Sequence, residues 1–126
     1  MTGKIGRLVV GGVLLGLVAA TAPAGADMGD GTMYITFSRS VALPGVELAA
    51  GTYVFSLASS NNPSAVRVLS RDRRKIYLTA FTIDTARPAG LTAPVTFGEV
   101  VSGQAPRIKA WFPSDREHGR QFMYRD

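Results

Sequence analysis

The side chains able to carry chemistry are few and fall in three places. The single histidine, His118, lies in Ser114-Asp115-Arg116-Glu117-His118-Gly119. Joined with Asp115 and Glu117 it would make either a metal site or an acid–base pair. Zinc normally draws on further His or Cys ligands, and this chain has one histidine and no cysteine. Serine, histidine and aspartate are all present for a nucleophilic triad, but no serine stands in a nucleophile-elbow context. Glycoside hydrolysis needs two placed carboxyl groups, and nothing marks a pair among Glu47, Asp72, Asp84, Glu99, Asp115 and Glu117. Asp27, Asp30 and Thr32 miss the EF-hand spacing, and Gly-rich phosphate loops are absent. The sequence therefore asks for no cofactor or metal. A histidine in a charged turn before glycine reads as exposed and inert, and a hydrolase is the weakest of the functional readings.

The second place is Arg107-Ile108-Lys109-Ala110-Trp111-Phe112. Strand alternation predicts Arg107, Lys109 and the sole tryptophan, Trp111, on one face, with Ile108, Ala110 and Phe112 on the other. Cations beside an indole suit a sugar ring or an anionic group. The plainer reading is a Trp111 that caps the edge of the core while the cations reach water. The third place is Ser70-Arg71-Asp72-Arg73-Arg74-Lys75, a polar loop between two strand-like runs. Arg71, Arg73, Arg74 and Lys75 there would meet anionic lipid, acidic polysaccharide or phosphate. One turn is a small footprint for a polyanion, so these charges read first as a solvated hairpin end that discourages aggregation.

The elements that must position these groups come from a short chain. Its 126 residues suffice for one domain. Residues 1–26 read as a secretory signal peptide: Lys4 and Arg7, an apolar run from Leu8 to Ala20, and an Ala24-x-Ala26 cleavage site. The run is shorter than the ~20 residues of a membrane span, so the expectation is export to the periplasm or exterior without a transmembrane anchor. Losing Lys4 and Arg7 lowers the formal charge from +5 to +3. That modest surplus argues against nucleic acid as a partner. Without cysteine the domain has no disulfide and rests on its core alone.

Residues 27–32, rich in Gly and Asp, read as a flexible mature N-terminus, and 33–126 as a single β-domain. Within it Met33–Phe37 alternates, Pro44-Gly45 suits a type II turn between the arms 41–43 and 46–48, and Gly51 precedes an alternating strand from Thr52 to Ala58. Tyr53, Phe55 and Leu57 fall on one side of that strand, and Val54, Ser56 and Ala58 on the other. Ala65–Leu69 and Lys75–Ile83 form a hairpin about the basic loop. Thr92–Val101, Arg107–Phe112 and Gln121–Tyr124 are further strands, with Pro113–Gly119 a charged turn. No apolar repeat of helical period is sustained. The prediction is all-β: a single small sandwich or barrel of about seven or eight short, mainly antiparallel strands.

The segment Leu43-Pro44-Gly45 through Leu48-Ala49-Ala50-Gly51-Thr52-Tyr53, with Lys109-Ala110-Trp111-Phe112 and Gln121-Phe122-Met123-Tyr124, resembles a family of small secreted bacterial β-proteins. Those proteins carry an LPAGTY-like turn-strand and a KAWF-to-EF.Y-like ending. The resemblance covers most of residues 33–124, and Ala49 stands where the family more often has proline. It implies a β-fold and export, and names no activity. Together these readings describe an exported, non-catalytic binding or interaction module of the bacterial envelope or exterior. A glycan, an anionic lipid or another envelope protein would be its partner. The rival from another class is a structural, self-associating envelope component.

Overall fold

The structure is a computed structural model and describes residues 26–27, 31–59, 62–113 and 116–125. Within these residues the chain is all-β, in ten strands: β1 (Ala26–Asp27), β2 (Thr32–Phe37), β3 (Val41–Leu43), β4 (Val46–Leu48), β5 (Gly51–Ser59), β6 (Asn62–Ser70), β7 (Ile76–Ala86), β8 (Val95–Phe97), β9 (Ile108–Trp111) and β10 (His118–Phe122). Eight of them form one antiparallel sheet in the order β1-β2-β5-β6-β7-β10-β9-β8, and β3 and β4 form a separate hairpin. The predicted fold class is therefore the observed one.

The sheet is strongly curled. Phe55 of β5 and Trp111 of β9 pack with ring centroids 5.8 Å apart, although β6, β7 and β10 lie between their strands in the sheet. Curling of this kind follows from the right-handed twist of strands and brings one face of the sheet around a shared core. That core holds Met33, Ile35 and Phe37 of β2, Tyr53 and Phe55 of β5, Val66 and Val68 of β6, Ile108 and Trp111 of β9, and Phe122 of β10. The alternation read from Met33–Phe37 and from Tyr53 and Phe55 puts those side chains on this inner face.

The β3–β4 hairpin turns at Pro44-Gly45, with Gly45 at φ 77°, the positive angle that a type II turn needs and glycine supplies. It buries Val41, Leu43 and Leu48 in the same core. Its backbone joins the sheet at one point, where the Ala42 amide donates to the Pro106 carbonyl at 2.8 Å beside a parallel bridge to Arg107.

Several boundaries differ from the expectation. The flexible N-terminus predicted for 27–32 is structured at both of its described ends. Ala26 pairs with Tyr34 and Asp27 with Met33, and Thr32 opens β2. The long strand expected over Thr92–Val101 contracts to Val95–Phe97: the Gly98 amide still donates to the Arg107 carbonyl, after which the chain leaves the sheet. His118 and Gly119, expected in a turn, open β10. Residues 1–25, which hold most of the predicted signal peptide, lie outside the described residues. Among the described residues no helix is long and apolar enough to cross a membrane.

Candidate functional site

The face predicted from Arg107, Lys109 and Trp111 does not exist as such. Trp111 is fully buried, against Phe55. The cause is a β-bulge. Ile108 pairs with Phe97 and Ala110 with the adjacent Thr96, so β9 spends two residues where β8 spends one. Lys109 is the extra residue and stands exposed. The bulge reverses the alternation beyond it, which sends both Ile108 and Trp111 into the core. Trp111 is thus a core residue, and only Arg107 and Lys109 remain at the surface.

Arg107 borders a cavity of about 920 Å³ between the β3–β4 turn and residues 123–125, walled by Glu47, Gln104, Arg107, Tyr124 and Arg125. A second cavity of about 460 Å³ adds Glu99 and Lys109 and shares Gln104, Arg107 and Tyr124 with the first. Arg107 therefore stands on the ridge between the two. Its guanidinium lies over the Tyr124 ring, 5.0 Å from the centroid, a cation–π contact that fixes the orientation of both groups. The Tyr124 hydroxyl is aimed at the carbonyls of Ile108 and Ala42, tying the β3–β4 hairpin to β9. Burial pushes the Tyr124 phenol well above its ordinary range, and nearby Arg107 opposes that only in part. The hydroxyl stays protonated and holds the wall in place.

The basic loop forms the exposed tip joining β6 and β7. Arg73 takes φ 64°, which turns the loop tightly. Asp72 accepts from the Ser70 hydroxyl at 2.7 Å and from the Arg74 amide at 3.0 Å, and these bonds, the Ser70 one first, hold its carboxyl below the usual range. The structure also gives the tip aromatic neighbours that spacing did not reveal. The Arg73 guanidinium is 5.7 Å from the Tyr34 ring centroid and the Lys75 ammonium 4.8 Å from that of Tyr77. Tyr77 in turn meets Tyr53 edge to face at 5.5 Å. Register explains the reach of Arg73: Tyr34 of β2 pairs with Val54 of β5, and Val54 with Leu69 near the end of β6.

His118 finds an acidic partner outside its own segment. Pairing of β10 with β7 sets His118 opposite Ala86 and Arg120 opposite Asp84. The His118 Nδ1 lies 2.7 Å from one Asp84 oxygen, and the Arg120 Nη1 lies 3.3 Å from the other. The Arg120 Nε donates to the Thr82 hydroxyl at 2.9 Å, and that hydroxyl donates to the Ser64 carbonyl at 2.7 Å. Asp115, one of the acids read beside His118, lies outside the described residues, and Glu117 is exposed. The pairing missed from sequence is Asp84 with His118. Their separation of more than thirty residues carries no local signal, and only the β7–β10 register reveals it. Thr82, the hydroxyl joined to this cluster, is buried and already bonded on both sides, so it is held as a structural link and not as a nucleophile.

No family model matches the chain, and neither a curated protein nor a solved structure does.

Proposed function

We propose that this protein is an exported, non-catalytic binding module whose recognition site is the paired groove on either side of Arg107. The observation that carries the reading is the large groove walled by the Arg107–Tyr124 stack. Concave sites with a few oriented polar groups are where small ligands bind. Here a guanidinium, two further cations in Lys109 and Arg125, a carboxamide in Gln104 and carboxylates in Glu47 and Glu99 border one continuous region. That mixture of donors and acceptors suits a hydroxylated ligand bearing a negative group, such as an acidic sugar. Export rests on the layout of residues 1–26, and the resemblance of the turn-strand and C-terminal segments to small secreted bacterial proteins supports it.

The test is a thermal-shift and calorimetric screen against neutral and acidic glycans and small anions. A ligand that binds only the folded state raises the melting temperature by mass action. The expected result is a shift with acidic sugars that Arg107→Ala abolishes while the unliganded melt stays cooperative. A flat screen on a cooperatively melting sample would overturn the binding reading. Concentration-dependent assembly in light scattering would then establish the structural alternative.

A further inference from the structure

A second surface adjoins the groove at Met123. Register puts Ala65, Arg67 and Leu69 of β6 opposite Phe81, Thr79 and Ile76 of β7, all on the outer face of the sheet. On the same face Ile83 pairs with Gln121 of β10, and Met123 follows the last paired residue of that strand, Phe122 opposite Thr82. Phe81 is 66% exposed, Ile76 54%, Met123 50% and Ile83 48%. Single exposed apolar residues are ordinary, but three large ones on one face of β7, with Met123 just past the end of β10, form a patch. At the strand rise the patch runs roughly 20 Å along β7, from Ile76 past the exposed Thr79 to Phe81 and Ile83. Met123 also borders the groove.

One end of the patch is the basic tip. Ile76 follows Lys75 directly, so Arg71, Arg73, Arg74 and Lys75 continue the apolar row, and Arg67 lies within the face beside it. Asp72 is the one carboxylate of the tip, and its bonds to Ser70 and the Arg74 amide bind it into the loop. We infer that this face docks on an anionic lipid surface, with the tip cations at the headgroups and Ile76, Phe81, Ile83 and Met123 dipping into the boundary below them. Charge complementarity chooses the occupant. Basic side chains near an anionic leaflet attract it, and apolar side chains beside them bury in the headgroup–acyl boundary. A soluble polyanion would use the cations and leave the apolar row in water.

The experiment is flotation of the full chain, as an expressing host yields it, with vesicles of phosphatidylcholine alone or mixed with phosphatidylglycerol. Phe81→Ser with Ile83→Ser probes the apolar row, and Arg74→Ala with Lys75→Ala probes the tip. Binding to the mixed vesicles is expected to exceed binding to the neutral ones and to weaken with added salt. The cation pair should lower the partition constant by about tenfold to thirtyfold, and the apolar pair should also lower it. Arg107→Ala should leave it unchanged, so failure here is separable from failure of the groove reading. Phe81, Ile83, Arg74 and Lys75 are exposed and Arg107 is half-buried, and melting curves verify that the variants stay folded. An apolar segment at 8–20 is common to every variant and cancels in the comparison.

Flotation with the mixed vesicles that neither pair lowers would overturn the proposal. It also falls if a sulfated polysaccharide binds in a way that needs the cations but not Phe81 and Ile83. A dimer that the apolar pair dissolves, with no flotation, would assign the face to a second copy of the chain instead.

Discussion

Strands β5 and β7 occupy equivalent positions in the sheet and have opposite fates at the surface. Each is flanked on both sides by hydrogen-bonded neighbours, β5 by β2 and β6 and β7 by β6 and β10. In β5 three successive residues, Tyr53, Val54 and Phe55, are buried, so both faces are covered. In β7, eleven residues long, Thr82 alone is buried and Phe81 and Ile83 lie in the open. The backbone is paired in both, so hydrogen bonding does not explain the contrast. The cover does. Val54 sits between Tyr34 and Leu69, and the basic tip leans over Tyr34 through Arg73. Hydroxyl pairs between Thr36 and Thr52 and between Thr32 and Ser56 finish that side of β5. Nothing equivalent among the described residues lies over the outer face of β7. The difference shows that an uncovered apolar face is not imposed by the curled sheet, since the same sheet buries Val54 on the outer face of β5.

The comparison breaks first in the core. Phe55→Ala and Trp111→Ala each remove a fully buried aromatic from the contact that closes the curl, and each should cost about 3–5 kcal/mol in denaturant unfolding. A Trp111→Ala protein of unchanged stability would return that residue to the surface and undo the bulge argument. Gly119→Ala comes next. A Cβ there would lie 2.3 Å from a Phe112 ring carbon and 2.5 Å from the Trp111 carbonyl oxygen. Backbone cannot yield as a flexible side chain would, so overpacking should cost about 1–3 kcal/mol or more.

Tyr124→Phe is a smaller change. Loss of the hydroxyl that ties β3 to β9 should cost about 1 kcal/mol at neutral pH. It also has a pH signature. Because the folded phenol titrates above its ordinary value of 10.0, its contribution is complete below that pH. It is lost as pH rises, since the unfolded chain gives up the proton first. Burial raises Tyr53 in the same direction. Urea midpoints should therefore fall above about pH 10, and less steeply in the Tyr124→Phe variant. The smallest effect is expected on β7: Phe81→Ala should change stability by no more than about 0.5 kcal/mol. A larger loss would mean that the face is covered in solution, and the contrast with β5 would fail.

The fold was legible wherever a local rule acts alone. Pro44-Gly45 declares its turn, Met33–Phe37 and Tyr53–Phe55 declare their inner faces, and Ser70–Lys75 declares a hairpin tip. The candidate sites were legible only in part, because they depend on register. Lys109 as a bulge residue inverts the faces of β9, and periodicity cannot see an inserted residue. His118 meets Asp84 and Arg73 meets Tyr34 only because particular strands are neighbours. The aromatic company of the basic tip and the apolar row beyond it belong to the same class of long-range fact. The cations of the tip were named from the sequence, but their footprint was not.

Strand β10 is formed by residues 118–122, close to the end of the chain, yet it lies inside the sheet, between β7 and β9. Until it arrives, β7 and β9 have no partner on their facing edges and the curl that joins Phe55 to Trp111 cannot close. Assembly from the N-terminus can build the meander β2-β5-β6-β7 early, but the β8–β9 pair can only be stitched on through β10. Closure of the curl therefore waits on residues 118–122, however early the first strands pair.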